Sequence, residues 1–277
     1  MVRARTSREA ISPAQFKGTP TEVATQIRHA LKGGGSAEHA AGVQRFFKDE
    51  IKSHGWYTAD LRRAVRRCRY EILREHDLDF LVKVADNLFT GSVLEEKITA
   101  VFLLEKMDVQ FGDREFRTFE SWLDRISNWA DHDGLVHYLI SPMVAAEPAR
   151  VKDAFRWAKS PNRWHRRAAC VALIRGARTK MFFPKIVKLS DSLLADKDDM
   201  VQKGLGWLLR ETAKHDPKRM RPAASEVRAL LADSSRLREH AGWRPAFDFR
   251  EGLKHTVAWW DRRLAEKAVR REKTFMI

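Results

Sequence analysis

The sequence predicts an all-α chain: an α-solenoid of stacked helix pairs with a short helical C-terminal tail. Three observations carry this expectation. Apolar residues recur at helical spacing in one short segment after another. No convincing strand alternation occurs before about residue 240. The segments are joined by short turns, and Trp122/Trp129 and Trp157/Trp164 share a seven-residue spacing that hints at related repeat units.

The elements follow in order. Thr19-Pro20-Thr21-Glu22 has the Thr-x-x-Glu spacing of a capping box, with proline at the first helical position. The helix it opens is expected to reach about Lys32 and to stop at Gly33-Gly34-Gly35. Ser36 caps the next, with Val43, Phe46 and Phe47 on one side. Thr58 opens a third, whose Leu61, Val65, Cys68 and Ile72 form an apolar stripe opposite Arg62, Arg63, Arg66, Arg67 and Arg69. Further helices are expected near 77–89, 92–107, 116–127, 135–146, 150–159, 162–175, 181–195 and 198–214. The expected organisation is a flexible N-terminus over 1–18, the solenoid over 19–219 and a C-terminal extension over 220–277.

At 277 residues the chain is long enough for a sizeable core. Hydrophobic residues make up 44% and charged residues 32%, which excludes a disordered chain. Fifty-two Lys+Arg against 37 Asp+Glu give a net charge of +15, a balance that favours a polyanionic partner, most often nucleic acid. Cys68 and Cys170 lie in apolar helical patterns without a CxxC partner, so both are expected buried and reduced. The first residues lack the apolar core of a secretory signal, and no run of about 18 apolar residues exists, so no membrane is expected. A cytoplasmic location is expected, nucleoid-associated in a bacterium.

The stretch Ser127–His137, SNWADHDGLVH, is poor core material. Trp129 and Asp133 stand at i and i+4, and share a face if the helix begins before them. Read as structure alone, Trp129 is a packing residue, and Asp131 and Asp133 are N-caps before GLVHYLI; for Asp131 the cap is preferred. His132 and His137 lack a partner at i+4, so no metal is expected. Arg163, Arg167, Arg175 and Arg178 fall within about 120° of one another if one helix carries them, with Lys180 close behind. Gathered guanidinium groups suit phosphates, or form a solvated face.

Five segments carry a family resemblance: FFKDEIKSHGWYTADLRRA (46–64), EEKITAVFLLEK (95–106), NWADHD (128–133), SPNRWHRRAACVALI (160–174) and VQKGLGWLLRETAKHDP (201–217). In this order they resemble the DNA alkylation repair family of HEAT-like-repeat DNA glycosylases, over roughly residues 40 to 217. The resemblance implies a HEAT-like solenoid on duplex DNA that removes cationic N3- and N7-alkylated purines. It implies an open cleft that contacts the lesion's deoxyribose without flipping the base. The catalytic residues it implies are Trp129, Asp133, Arg167 and Trp207. Arg163, Arg166, Arg175, Arg178, Lys180 and Arg210 are the candidate DNA-binding residues, with Tyr57 where the family's type member has glutamine beside the DNA. The expected partner is double-stranded DNA containing alkylated bases, bound by a monomer without cofactor. The alternatives are a non-catalytic HEAT-like DNA-binding scaffold and a protein–protein repeat module.

The residue types suit such chemistry. An alkylated purine is already a good leaving group, and its departure leaves an oxocarbenium-like sugar that a carboxylate stabilises. A tryptophan face attracts a cation by about 0.5–2 kcal/mol.

Residues 221–260 have a different character. ADSSRLREHAGWRPAFDFREGLKHTVAWW resembles the C-terminal segment of extended short-chain dehydrogenase/reductase nucleotide-sugar epimerases. No Gly-x-x-Gly-x-x-Gly follows a strand and no Tyr-x-x-x-Lys is present, so a nicotinamide cofactor is rejected. Helices are expected over 222–231 and 249–270, the latter with a basic end at Lys254, Arg262, Arg263, Lys267, Arg270, Arg271 and Lys273 that either binds DNA phosphates non-specifically or, the preferred reading, is solvated.

Overall fold

The computed structural model describes residues 16–219, 239, 244 and 249–265. Two compact units divide the chain, Met1–Arg221 and Pro222–Ile277. The expected helix at 222–231 and most of the basic end lie outside the described residues. Of the second unit a closing helix, Phe249–Ala265, is described.

The first unit is all-α, an array of packed helices, and among its described residues the backbone pairs in strand fashion only at an isolated bridge between Lys52 and Val93. Helix α1 (Pro20–Lys32) carries the capping box read from sequence, with Thr19 and Glu22 satisfying each other's backbone N–H groups. Phe16, inside the span expected to be flexible, is buried, and its carbonyl faces Nε2 of His76 at 3.2 Å. The glycine run ends α1 and has a second use. A Cβ on Gly34 would stand 1.8 Å from the Trp56 ring, whose indole N–H donates to the Leu31 carbonyl. Helix α2 (Ala37–Gln44) stops short of Phe46 and Phe47, so these rings are not on its face as expected. They belong to the strap 45–52 that follows.

Helix α3 (Thr58–Glu75) buries Leu61, Val65, Cys68 and Ile72 as its periodicity requires. Its arginine face is divided. Arg63, Arg66 and Arg67 are exposed, whereas Arg62 lies over the Phe102 ring at 4.2 Å and Arg69 donates to the Glu105 carbonyl. Helices α4 (Leu78–Phe89) and α5 (Leu94–Leu104) pack on these. Almost every residue of α5 is buried, which places it in the middle of the unit.

The tryptophan spacing corresponds to repeated geometry. Buried Trp122 donates its indole N–H to Asp86, 36 residues earlier, and buried Trp157 donates to Glu120, 37 residues earlier. Each also stacks on a phenylalanine, Trp122 on Phe89 at 4.4 Å and Trp157 on Phe116 at 6.2 Å. Each repeat thus closes with one indole, one carboxylate and one ring from the repeat before it. Burying an aromatic of this size contributes about 1.5–3 kcal/mol.

The helix expected at 116–127 is α6 (Asp113–Ser121) followed by a 3-10 turn, Trp122–Arg125. The helix expected at 135–146 begins six residues earlier. Helix α7 (Trp129–Leu135) runs through a π-helical segment, Val136–Ile140, into α8 (Ser141–Ala146). Pro142 lacks an N–H and crowds the preceding turn, which accounts for the widened segment before it. Then come α9 (Val151–Trp157), α10 (Arg163–Val171), α11 (Ile174–Arg178), α12 (Phe183–Leu193) and α13 (Asp199–His215).

Candidate functional site

The geometry of the site starts with the cap of α7. Asn128, not Asp131, is the N-cap: its side-chain oxygen accepts from the N–H groups of Ala130 and Asp131 at 2.9 and 3.0 Å. Asp131 lies within the first turn and is buried. Its Oδ2 accepts from Lys97 Nζ at 3.0 Å and from the Ser127 N–H at 3.2 Å. Lys97 is itself buried and donates also to the Arg125 carbonyl and to Ser127 Oγ. Burial raises the pKa of Asp131, and the Lys97 ammonium pulls it the other way. This pair pins the start of α7 to α5. The expected cap at Asp131 is thus corrected, because Asn128 reaches the free N–H groups first and Lys97 draws the carboxylate inward.

Starting the helix at residue 129 puts Trp129 and Asp133 one turn apart on it. Trp129 is 37% exposed. Its indole N–H donates to the Phe46 carbonyl at 3.3 Å, and its ring stacks on Phe47 with centroids 5.2 Å apart. The strap 45–52 that brings these residues is closed on itself by Gln44, whose side chain donates to the Asp49 carbonyl and accepts from the Ile51 N–H. Farther along, Glu95 gathers the N–H groups of His54, Gly55 and Trp56 and the Ser53 hydroxyl. Lys48, near the strap's tip, pairs with Asp199 of α13 at 2.9 Å.

Asp133 is held by three donors. Arg167 of α10 gives Nε to Oδ1 at 3.0 Å and Nη2 to Oδ2 at 2.7 Å, and Nδ1 of His132 lies 2.8 Å from Oδ1. Burial works against the ionised carboxylate, but the bonds from His132 and Arg167 outweigh it and hold its pKa below the ordinary value. Arg167 is 5% exposed, so its expected alternative as a solvated residue does not hold. Its Nη1 donates to the Met200 carbonyl at 2.6 Å. Gly204 makes room for it, since a Cβ there would stand 3.0 Å from Arg167 Cγ.

A cleft of about 640 Å³ opens beside these groups, with Phe46, Phe47, Trp129, Trp164, Arg163 and Arg167 in its wall. Asp133 and Trp207 are not among its lining residues. Asp133 reaches the cleft through Arg167. Trp207, on α13, is half-buried and lies against the His137 ring at 5.3 Å, one turn past Asp133. Burial lowers the pKa of His137.

The candidate DNA-binding residues divide. Arg163, Arg175, Lys180, Arg210 and Tyr57 are exposed. Arg163 lies over the Trp164 ring at 4.7 Å, and Tyr57 stacks on His39 at 3.9 Å. Arg166 is committed within the chain, to Asp196 at 2.6 Å and to the Ser160 and Pro161 carbonyls. Arg178 pairs with Glu211 at 2.7 Å. The arginines do not share one helix. The Arg175 N–H donates to the buried Ser141 hydroxyl instead of continuing the ladder, and the helix breaks at 172–173 between α10 and α11. Among the described residues no group of His, Cys, Asp and Glu could hold a metal ion.

Sequence reasoning passed over Lys97, His132 as a partner of Asp133, and the strap. Lys97 had one signal: a cation directly before the all-round apolar run ITAVFLL (98–104), where a buried cation needs a buried acid.

A family model described as DNA alkylation repair enzyme matches residues 27–256. Comparison with curated proteins gives no match. The family match runs on through residue 256, across most of the segment expected to have another origin, and nothing supports the epimerase resemblance.

Proposed function

The chain belongs to the DNA alkylation repair enzyme family, and from this premise we propose that it is a DNA glycosylase for cationic N3- and N7-alkylated purines in duplex DNA. In this reading water adds to the sugar C1′ and the C1′–N bond breaks. The bonding pair returns to the purine and neutralises its charge. The water's proton goes to solvent. Asp133 stabilises the positive charge that grows on the sugar. Trp129 offers its ring face to the cationic base or sugar. Arg167 holds Asp133 and faces the cleft, Trp207 is a second aromatic contact, and the exposed cations Arg163, Arg175, Lys180 and Arg210 engage phosphates. The reaction requires no metal and no organic cofactor.

The observation that carries the reading is Asp133, kept ionised by Arg167 and His132 one turn from a partly exposed tryptophan beside an open cleft. A neutral damaged base lacks the leaving-group charge that makes this light assistance sufficient. Among the described residues no helix is long and apolar enough to cross a membrane, and duplex DNA is the partner this reading gives. The test is abasic-site formation on methylated duplex DNA, revealed by heat or alkali, with a uracil duplex as control. Strand breaks only on the methylated duplex support the reading. Equal action on uracil, or none on either, refutes it.

A further inference from the structure

Resting on this reading of the site, the geometry points to His132 as a positioning residue that fixes which oxygen of Asp133 serves the reaction. His132 is fully buried between α7 and α10. Its Nδ1 lies 2.8 Å from Asp133 Oδ1, and its Nε2 lies 3.1 Å from the Trp164 carbonyl. Both neighbours are acceptors. A neutral imidazole has one N–H, and the carboxylate is the stronger acceptor at the shorter distance, so the ring carries its proton on Nδ1. The charged groups facing it are Asp133, its neighbour in α7, and Arg167 of α10; burial lowers the imidazole pKa and favours the neutral ring at physiological pH.

Counting lone pairs gives the consequence. Oδ1 accepts from His132 Nδ1 and from Arg167 Nε, which fills both its acceptor positions. Oδ2 accepts from Arg167 Nη2 alone and keeps one position open. Oδ2 is therefore the oxygen left to face the sugar or to hold the attacking water. Without His132, one bond to Oδ1 is lost, the two bonds from Arg167 remain, and each oxygen then has one open position, so nothing distinguishes Oδ2 from Oδ1.

Two side chains separate this role from plain packing. Asparagine at 132 presents an N–H where Nδ1 stands but does not reach Trp164. Glutamine reaches the Nε2 position and abandons Asp133. His132→Asn should keep single-turnover release of 7-methylguanine within about threefold of the wild type, and His132→Gln should lose about 10- to 100-fold with duplex affinity unchanged. Equal losses in both variants, or a larger loss in His132→Asn, overturn the assignment. A second readout does not depend on activity. In protein with ¹³C-labelled aspartate, the Asp133 carboxyl should titrate higher in His132→Gln than in the wild type, and stay low in His132→Asn. No change in His132→Gln overturns the positioning role. A wild type that releases no base, with the carboxyl shift as expected, overturns the glycosylase reading and leaves the positioning in place.

Discussion

Arg167 grips Asp133 with two parallel hydrogen bonds, Nε to Oδ1 at 3.0 Å and Nη2 to Oδ2 at 2.7 Å. The pair joins α10 to α7 across the wall of the cleft, and it sets the charge state of the site. Asp133 has a depressed pKa, so the fold favours its ionised form. Its contribution to stability is complete above the unfolded value of about 3.9 and disappears as pH falls through the lower folded value. Base release should accordingly show no acid-side loss from Asp133 between pH 8 and about 5. A pH–rate profile of the wild type checks this; a midpoint near 6 removed by Asp133→Asn contradicts it.

The buried pair of Lys97 and Asp131 yields a stability prediction. Lys97→Met strands the Asp131 carboxylate without its cation, and should cost about 3–5 kcal/mol in urea unfolding. Lys97→Met with Asp131→Asn should recover part of that loss. A double variant no more stable than the single would show that the pair is not coupled.

Both cysteines are buried, and burial pushes each thiol up to about 12. Neither should react with iodoacetamide at pH 8 in the native protein, and both should react in urea. Mass spectrometry of the labelled protein gives the count. Native labelling of Cys68 or Cys170 would place that helix nearer the surface than described.

Much of the fold was legible in the sequence where local chemistry decides it. Thr19 with Glu22 and the Leu61–Ile72 stripe each mark an element that forms as expected, and Ser36 caps the start of α2. Legibility failed where distant residues decide. The inward turn of Asp131 depends on Lys97, some thirty residues away, and the break after Val171 depends on the Ser141 hydroxyl. Phe46 and Phe47 read as a helix face because their spacing suits one, but the strap's bonds to Gln44 and Trp129 take them out of it. The candidate site came chiefly from the family resemblance. Residue types alone left Trp129 as packing and Asp131 as a cap.

The split among the arginines separates candidate DNA contacts from internal ties. Duplex affinity should fall log-linearly with salt. Arg175→Ala, Lys180→Ala and Arg210→Ala should each lower the slope by about 0.9 if each neutralises one phosphate. Arg166→Ala should leave the slope unchanged and lower the unfolding midpoint, because its guanidinium is held by Asp196. Fluorescence anisotropy across a salt series, with urea unfolding beside it, checks both halves. A lowered slope for Arg166→Ala contradicts this division.

In the proposed reaction Asp133 carries base excision. Its most direct measurement is release of 7-methylguanine and 3-methyladenine from methylated duplex DNA by the wild type and by Asp133→Asn, with duplex affinity measured on the same preparations. The wild type should release both bases, the variant should lose at least about 100-fold, and both should bind the duplex similarly. Release by Asp133→Asn at the wild-type rate would contradict it, and so would a wild type that binds the duplex and frees no base.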